Sequence, residues 1–361
     1  MDDIPTRKAD HIDVATQRAV TASISPGWDD VTLIHQSLPE INLEDVDLSV
    51  ELFGHRLRAP LVIASMTGGH PRATEINRLL AGAAQEFGIG MGVGSQRAAV
   101  RRPELLGSYT VARETAPDAL LIANVGAPQL IPQGAEPALI DEQILHLVTT
   151  LRADALAIHL NYLQEVVQPE GDTRSKGCLE AIHHLAGVLP VPIIAKETGA
   201  GISRPQALLL RDAGVACIDV GGAGGTSFAL VESFRSADRG LGPIERLGRT
   251  LADWGLPTAA SVVECTGLGI PVIGTGGIRS GLDAAKALAL GADAVSIARP
   301  MLTAALEGRE ALHAYIQELI DALRAILFLT GAATVQGLRS RDRVVTGRTA
   351  DWLRARGLVP K

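Results

Sequence analysis

Residues 271–300, PVIGTGGIRSGLDAAKALALGADAVSIARP, decide the reading of the fold. The run 271–275 is apolar and ends in Gly276-Gly277. Ser280 stands where a helix N-cap is expected, and an Ala/Leu-rich body follows to about Leu290. Gly291 stops that helix, and 294–298 is a second apolar run. The order is strand, glycine turn, helix, strand. A Gly pair directly after a strand lets backbone N–H groups approach a phosphate, and the dipole of the next helix favours the anion. In (β/α)8 barrels such a site follows the last two strands, at the C-terminal face. A Gly pair alone is equally a tight turn. With the capped helix and second strand attached, the stretch predicts a TIM barrel holding a phosphorylated cofactor or substrate.

Working outward, eight short apolar runs punctuate the chain: 60–65, 88–93, 120–125, 155–160, 192–196, 216–220, 272–275 and 294–298. Helix-like segments such as 73–86, 205–213 and 282–290 separate them. Continuous rather than alternating apolar runs are what strands buried on both faces look like. Regular alternation with helices implies a parallel sheet. Eight units favour closure, and a doubly wound open sheet is the alternative, because closure leaves no periodicity. Residues 1–361 are read as one barrel domain, with an N-terminal extension (about 1–58) folding against it. The charged stretch 230–250 reads as an insertion of the kind that forms a lid or linker. Residues 310–330 carry an amphipathic helix pattern.

Composition bounds the function. The chain has 361 residues, 47% hydrophobic and 20% charged, enough for a large core. Only 3% aromatic residues against 38 glycines suits a tightly packed α/β protein with short turns. A formal charge of −7 argues against a nucleic-acid binder. Cys178, Cys217 and Cys265 offer neither a disulfide framework nor a zinc pattern. The first ten residues are polar, and no apolar run reaches membrane-spanning length, so a cytoplasmic protein with no membrane partner is expected.

In a barrel, polar residues just after each strand converge on one mouth. Here they are Ser65, Met66 and Thr67 after the first run, Ser95, Gln96 and Arg97 after the second, and Asn124 at the end of the third. His159, Asn161, Gln164 and Glu165 follow the fourth, and Lys196 and Glu197 the fifth. The glycine-rich turn with Thr226 follows the sixth, and Gly276, Gly277, Ala298 and Arg299 follow the last two. This set fits a flavin. Backbone N–H groups and Thr226 suit the phosphate, Asn124 and Ser95 the ring edge, and Lys196 the N1–C2 carbonyl of a reduced ring. Taken singly, Asn124 is equally a turn former, and Lys196 equally pairs with Glu197 or snorkels.

The same residues carry a family resemblance. Arg7-Lys8 followed by His11, SMTGG at 65–69, GSQR at 94–97, ANVG at 123–126, HLNYLQE at 159–165 and QPEGD at 168–172 lie in series. KETGAGIS at 196–203, GGAGGTSF at 221–228 and GTGGIRSG at 274–281 complete it. The chain resembles the type 2, FMN-dependent isopentenyl diphosphate isomerases from about Arg7 to Arg339, and HLNxxQE followed by QPEGD is its most specific part. The resemblance implies an isomerase that interconverts isopentenyl and dimethylallyl diphosphate with reduced FMN in acid/base proton transfer. It implies Mg2+, NADPH or NADH as the priming reductant, and a homo-oligomer (tetramer or octamer). By the same resemblance, FMN contacts Ser65, Met66, Thr67, Ser95, Asn124, Lys196, Thr226, Gly276, Gly277, Ala298 and Arg299. The substrate contacts Arg7, Lys8, Ser95, Gln96, Arg97, His159, Asn161 and Gln164; Gln164, His159 and Lys196 are the expected catalytic groups, and Glu165 binds Mg2+.

Those assignments suit an anionic head with a small apolar tail, because Arg7, Lys8 and Arg97 neutralise the head. Two positions depart from the family pattern. Thr173, Arg174 and Ser175 stand where Asn-Phe or a similar pair is expected, and Phe228 stands where Trp is expected. A flavin 2-hydroxy-acid oxidase on the same fold is the nearest alternative, but residues 221–227 lack its His-Gly-Gly-Arg stretch. An IMP dehydrogenase-like enzyme needs a loop cysteine, and Cys217 falls inside an apolar run. A non-enzymatic phospholigand-binding barrel leaves Gln164 beside Glu165 without a purpose.

Overall fold

In a computed structural model, which describes residues 4–358, the eight apolar runs are eight parallel strands of one closed barrel. They are β1 (Leu61–Ile63), β2 (Gly90–Gly92), β3 (Leu121–Gly126), β4 (Ala155–Leu160), β5 (Ile193–Glu197), β6 (Cys217–Asp219), β7 (Val272–Thr275) and β8 (Ala294–Ile297). β8 pairs with β1 through Ser296 opposite Val62, which closes the ring. The TIM-barrel expectation holds, and the open-sheet alternative falls with that pairing.

Strand periodicity explains both the continuous apolar runs and the polar mouth. Leu61, Leu121, Leu156, Ile193, Ile218, Val272 and Val295 face outward into the large core beneath the helices. Val62, Ile122, Ala157, Ile194, Cys217, Ile273 and Ala294 face inward and form a separate apolar cluster. Two residues further along each strand the same inward face carries Asn124, His159, Lys196, Asp219, Thr275 and Ser296. The interior is therefore apolar at its N-terminal end and polar at its C-terminal end.

The N-terminal end is plugged. The hairpin of strands Val50–Leu52 and His55–Leu57 inserts Leu52 and Leu57 into the inward apolar cluster, with Phe53 packed beside them. Ser280 caps the helix Gly281–Ala289 as expected. Its Oγ accepts from Asp283 N at 3.2 Å, and the Asp283 carboxylate accepts from Ser280 N at 3.1 Å. The amphipathic pattern near 310–330 is the long helix Arg309–Leu329, whose Leu312, Ile316, Leu319, Leu323 and Leu327 are buried.

The extension wraps the C-terminal face. Its helix Ile4–Gln17 packs toward helix Phe228–Asp238, where Val14, Val20 and Val231 form a small apolar cluster. The charged stretch 230–250 is not an irregular connection. It is two helices, Phe228–Asp238 and Gly242–Thr250, joined in part by Ser233 Oγ donating to Glu245 O at 3.0 Å.

Because Leu57 is almost fully buried in the plug, Leu57→Ala leaves a cavity in a site that collapses poorly. The expected cost is about 2–5 kcal/mol in urea-induced unfolding, with the mouth, at the opposite end, unchanged in ligand affinity.

Candidate active site

The turn after β7 leans on the loop after β6. Gly276 and Gly277 have φ of 121° and 64°. A Cβ on Gly276 would stand 2.3 Å from Gly222 O, and one on Gly277 would stand 2.8 Å from Pro26. No side chain fits there, so the backbone itself faces the mouth. Around this turn Arg279 donates to Gly224 O at 3.2 Å and Gly277 O at 3.3 Å. Arg299, at the start of helix Arg299–Glu307 after Ala298, donates to Thr21 Oγ1 at 2.8 Å. Neither guanidinium is paired with a carboxylate among the described residues. Burial and the neighbouring Arg279 lower the Arg299 pKa. Thr21 bridges to Thr226, which brings Thr226, Gly276, Gly277, Ala298 and Arg299 around one anion cradle.

Deeper in the barrel the polar inward residues hold one another. Asn124 Nδ2 donates to Val93 O at 3.1 Å, so its Oδ1, 2.7 Å from His159 Nδ1, must accept. His159 therefore carries its proton on Nδ1. Burial, with Lys196 and Lys8 nearby, depresses the His159 pKa to about 3, so the ring is neutral at pH 7. Lys196 Nζ donates to Glu197 O at 2.9 Å and lies 3.8 Å from Asp219 Oδ2. The expected Lys196–Glu197 alternative is realised only through that backbone carbonyl. The Glu197 carboxylate accepts instead from Thr198 N and Gly199 N, each at 2.6 Å. Gln96 Oε1 accepts from Asn124 N at 3.1 Å. Beyond β1, Gly94 N donates to Thr67 O at 2.7 Å, which sets Ser65, Met66 and Thr67 beside the β2 loop.

The rim is charged. Lys8 Nζ reaches from the N-terminal helix to Ser95 O at 2.6 Å, Gly68 O at 2.8 Å and Tyr109 OH at 2.8 Å. All three acceptors are neutral. Burial, then Arg7, lowers the Lys8 pKa to about 7. Arg97 Nη1 is 2.5 Å from Asp172 Oδ2, and Arg7 Nη1 is 3.9 Å from Glu170 Oε1. Glu165 accepts from Asn161 Nδ2 at 2.9 Å and Asp172 N at 2.7 Å. Burial raises its pKa. Gln164 Nε2 donates to Glu232 Oε1 at 2.9 Å, the oxygen that His11 Nε2 also meets at 2.7 Å. Arg235 is bound to the second Glu232 oxygen.

Among the described residues, the buried polar atoms of this mouth without a partner include Gln96 Nε2, Asn161 Oδ1 and Ser296 Oγ. Buried polar groups are rarely left so. They mark where a ligand's polar groups belong.

Every residue expected at the site stands at this C-terminal end, in three tiers: cradle, throat and rim. Sequence reading passed over Tyr109, Asp219, Glu232 and Arg235. Glu232 and Arg235 lie in the stretch read as an insertion, where their i, i+3 spacing was the available signal. Tyr109 sits in helix Gly107–Thr115 and carries no signal. Of the two departures, Phe228 packs edge-on to His11, with ring centroids 6.2 Å apart. The loop at 173–175 is tied down by Gln133, which donates to Arg174 O at 2.9 Å.

A barrel with a backbone phosphate cradle and a buried lysine in its throat is the architecture of a phospholigand-binding enzyme. The family model described as FMN-dependent dehydrogenase matches residues 2–102 and 131–345. The chain is 48% identical to the isopentenyl-diphosphate delta-isomerase of Methanosarcina barkeri over 98% of its length and 96% of that protein. It is 48% identical to the one of Archaeoglobus fulgidus, over 97% of this chain and 99% of that protein. A solved structure of a mandelate oxidase mutant with the monooxide FMN adduct shares the fold, with a TM-score of 0.61 and 19% identity over 92% of this chain and 95% of that one. The chain belongs to the FMN-dependent dehydrogenase family and, within it, to the FMN-dependent (type 2) isopentenyl-diphosphate delta-isomerases.

The neutral His159 has a consequence for stability. Its folded pKa lies below that of the unfolded chain, about 6.5, so the unfolded state binds the extra proton first. In the ligand-free protein, stability is fully present above about pH 6.5 and declines as pH falls toward about 3. Between pH 7 and 5 the wild type is expected to lose about 2 kcal/mol more unfolding free energy than His159→Asn, measured by urea titration at each pH.

Proposed function

We propose that this protein interconverts isopentenyl and dimethylallyl diphosphate by moving one double bond, with FMN as its cofactor. The observation that carries the reading is the pairing of two anion sites in one mouth. One is the backbone cradle with Arg279 and Arg299. The other is the rim, where burial and then Arg7 lower the Lys8 pKa, and where Lys8 and Arg97 stand near enough to act on the buried His159. A flavin phosphate and a substrate diphosphate need two such sites.

The residues fit FMN. The cradle suits its phosphate, and Gln96 Nε2 and Ser296 Oγ, both buried and unpartnered, suit polar edges of a ring over the throat. Bound and reduced, the flavin supplies the acid/base chemistry that shifts the double bond. Lys196 places a cation at the barrel axis. His159, neutral and protonated on Nδ1, offers Nε2 as an acceptor. Gln164, fixed by Glu232, borders a small cleft that Leu163, Ala223, Ser227 and Phe228 also line.

Mg2+ also fits. Among the described residues no cluster of three His, Cys, Asp or Glu side chains could hold a metal. Mg2+ commonly takes one or two carboxylates and completes its shell with phosphate and water. Glu165 is the carboxylate for it, and Asn161 Oδ1 is an unpartnered oxygen beside it. NADPH or NADH acts only to reduce the flavin. The reading includes a cytoplasmic homo-oligomer, a tetramer or octamer, to be checked by light scattering. No described helix is long and apolar enough to cross a membrane. A 2-hydroxy-acid oxidase is disfavoured, since residues 221–227 contain neither His nor Arg.

The decisive experiment uses anaerobic holoprotein reduced once with dithionite. It should convert many equivalents of isopentenyl diphosphate per flavin without further reductant; consumption of one NADPH per product sinks the reading. Glu165→Gln is expected to weaken metal activation roughly tenfold or more, about 1.5–3 kcal/mol for a charge-assisted contact, with FMN binding kept. An unchanged Mg2+ midpoint removes Glu165 from that role.

A further inference from the structure

Among the inward-facing residues of the barrel strands, Asp219 is the one carboxylate. β6 alternates Cys217 inward, Ile218 outward and Asp219 inward, and the register sets Asp219 directly opposite Lys196 of β5. Both side chains are nearly closed to solvent, 7% and 10% exposed, with Asp219 Oδ2 3.8 Å from Lys196 Nζ. Burial raises the Asp219 pKa, and Lys196 is the largest influence opposing that rise, ahead of Thr275 and the Gly221 N–H. A carboxylate in such a place costs several kcal/mol unless an opposite charge compensates it. Packing alone does not call for it, since the layer below is apolar throughout.

Other ionisable groups near Lys196 do not fill that role. His159 is a neutral ring bonded to Asn124. Glu197 lies on the same strand, and its carboxylate is used by the backbone N–H groups of Thr198, Gly199 and Ala200. Cys217, one layer below Asp219, is a buried thiol pushed well up by desolvation. Asp219 is thus the carboxylate that stands within ion-pair distance of Lys196 among the described residues.

We propose that Asp219 is a positioning residue: its carboxylate keeps Lys196 in the ammonium form and aimed along the barrel axis, so that the charge presented to the cofactor is that of the Lys196–Asp219 pair. This rests on the reading of the mouth as a flavin site. Asp219 does not itself touch the cofactor. Without it, Lys196 is a lone buried ammonium, and burial disfavours the charged form.

The test is a pH titration of the purified holoprotein, following the flavin absorption spectrum and the FMN dissociation constant from about pH 6 to about pH 10. Wild type and Asp219→Glu should share one profile, any ionisation of Lys8 or Glu197 near pH 7 being common to both. Asp219→Asn should show one new ionisation, above which the FMN dissociation constant rises by up to about tenfold per pH unit, the limit for one proton. Asp219→Asn combined with Lys196→Met should lack that ionisation. An Asp219→Asn profile that matches wild type, or an added ionisation that persists in the double variant, overturns the proposal. If Asp219→Asn does not accumulate, melting temperatures decide. Lys196→Met leaves a lone buried carboxylate, so adding Asp219→Asn should raise the melting temperature; an equal or lower value overturns the pairing. A wild-type protein that binds no FMN would instead sink the flavin reading, whereas the melting comparison still judges the pair.

Discussion

A closed barrel of short strands has room for only a few inward side chains per strand, and the rest of this structure follows from which of them are polar. One layer, from Val62 to Ala294, is apolar and sealed from below by Leu52 and Leu57. The next carries Asn124, His159, Lys196, Asp219 and Ser296. Polar groups in a sealed throat must find partners or meet a ligand. Asn124 satisfies His159, Asp219 faces Lys196, and Ser296 Oγ is left over. The boundary between the two layers separates the part of the barrel that stabilises from the part that acts.

The N-terminal helix is held to this mouth by charge more than by apolar contact. Glu232 has no solvent exposure and is met by His11 and Arg235. Burial alone would push its carboxyl up, but His11, Arg235 and Gln164 outweigh this and hold it at about 2. Arg235 reaches Glu170 at 3.0 Å and Asp10 at 3.8 Å. The network thus ties the N-terminal helix, the loop after β4 and helix Phe228–Asp238 together. Removing one member strands another charge in a dry place, which commonly costs more than the pair contributes. Gln164 is fixed from behind by the same Glu232, so the wall of that cleft and the anchoring of the helix are one structure.

Much of the barrel was legible because buried parallel strands write themselves as continuous apolar runs, and all eight were found near their observed positions. Ser280 and Gly291 marked a helix by backbone chemistry that is local. Closure was not legible; it depends on Ser296 meeting Val62, a contact between distant residues with no periodic trace. Residues at strand ends were found because barrel topology gathers them. Glu232 and Arg235 were missed because their importance comes from burial, and a charged helical stretch looks the same whether solvated or enclosed. Asp219 was overlooked because it ends an apolar run, where one acid reads as the start of a loop. Tyr109 acquires meaning only when Lys8, 101 residues away, lies against it.

The two anion sites are built from different materials, and the difference matches what each must do. In the cradle the contacting groups are backbone at Gly276 and Gly277, in conformations that leave no space for a side chain. Such a surface is preorganised and costs little ordering when a phosphate arrives, which suits a cofactor that stays. At the rim the groups are long side chains, and Arg97 and Arg7 already lean on Asp172 and Glu170. Those acids hold the guanidiniums in place while compensating their charge. On the proposed reading, an incoming diphosphate would compete with these carboxylates, which would moderate its net gain and let product leave. Lys8 alone is held by neutral acceptors, and it is the rim cation whose charge is least compensated before a ligand binds. Under that reading, a mouth that grips one phosphate with backbone and exchanges another through paired side chains would separate retention of the cofactor from turnover of the substrate.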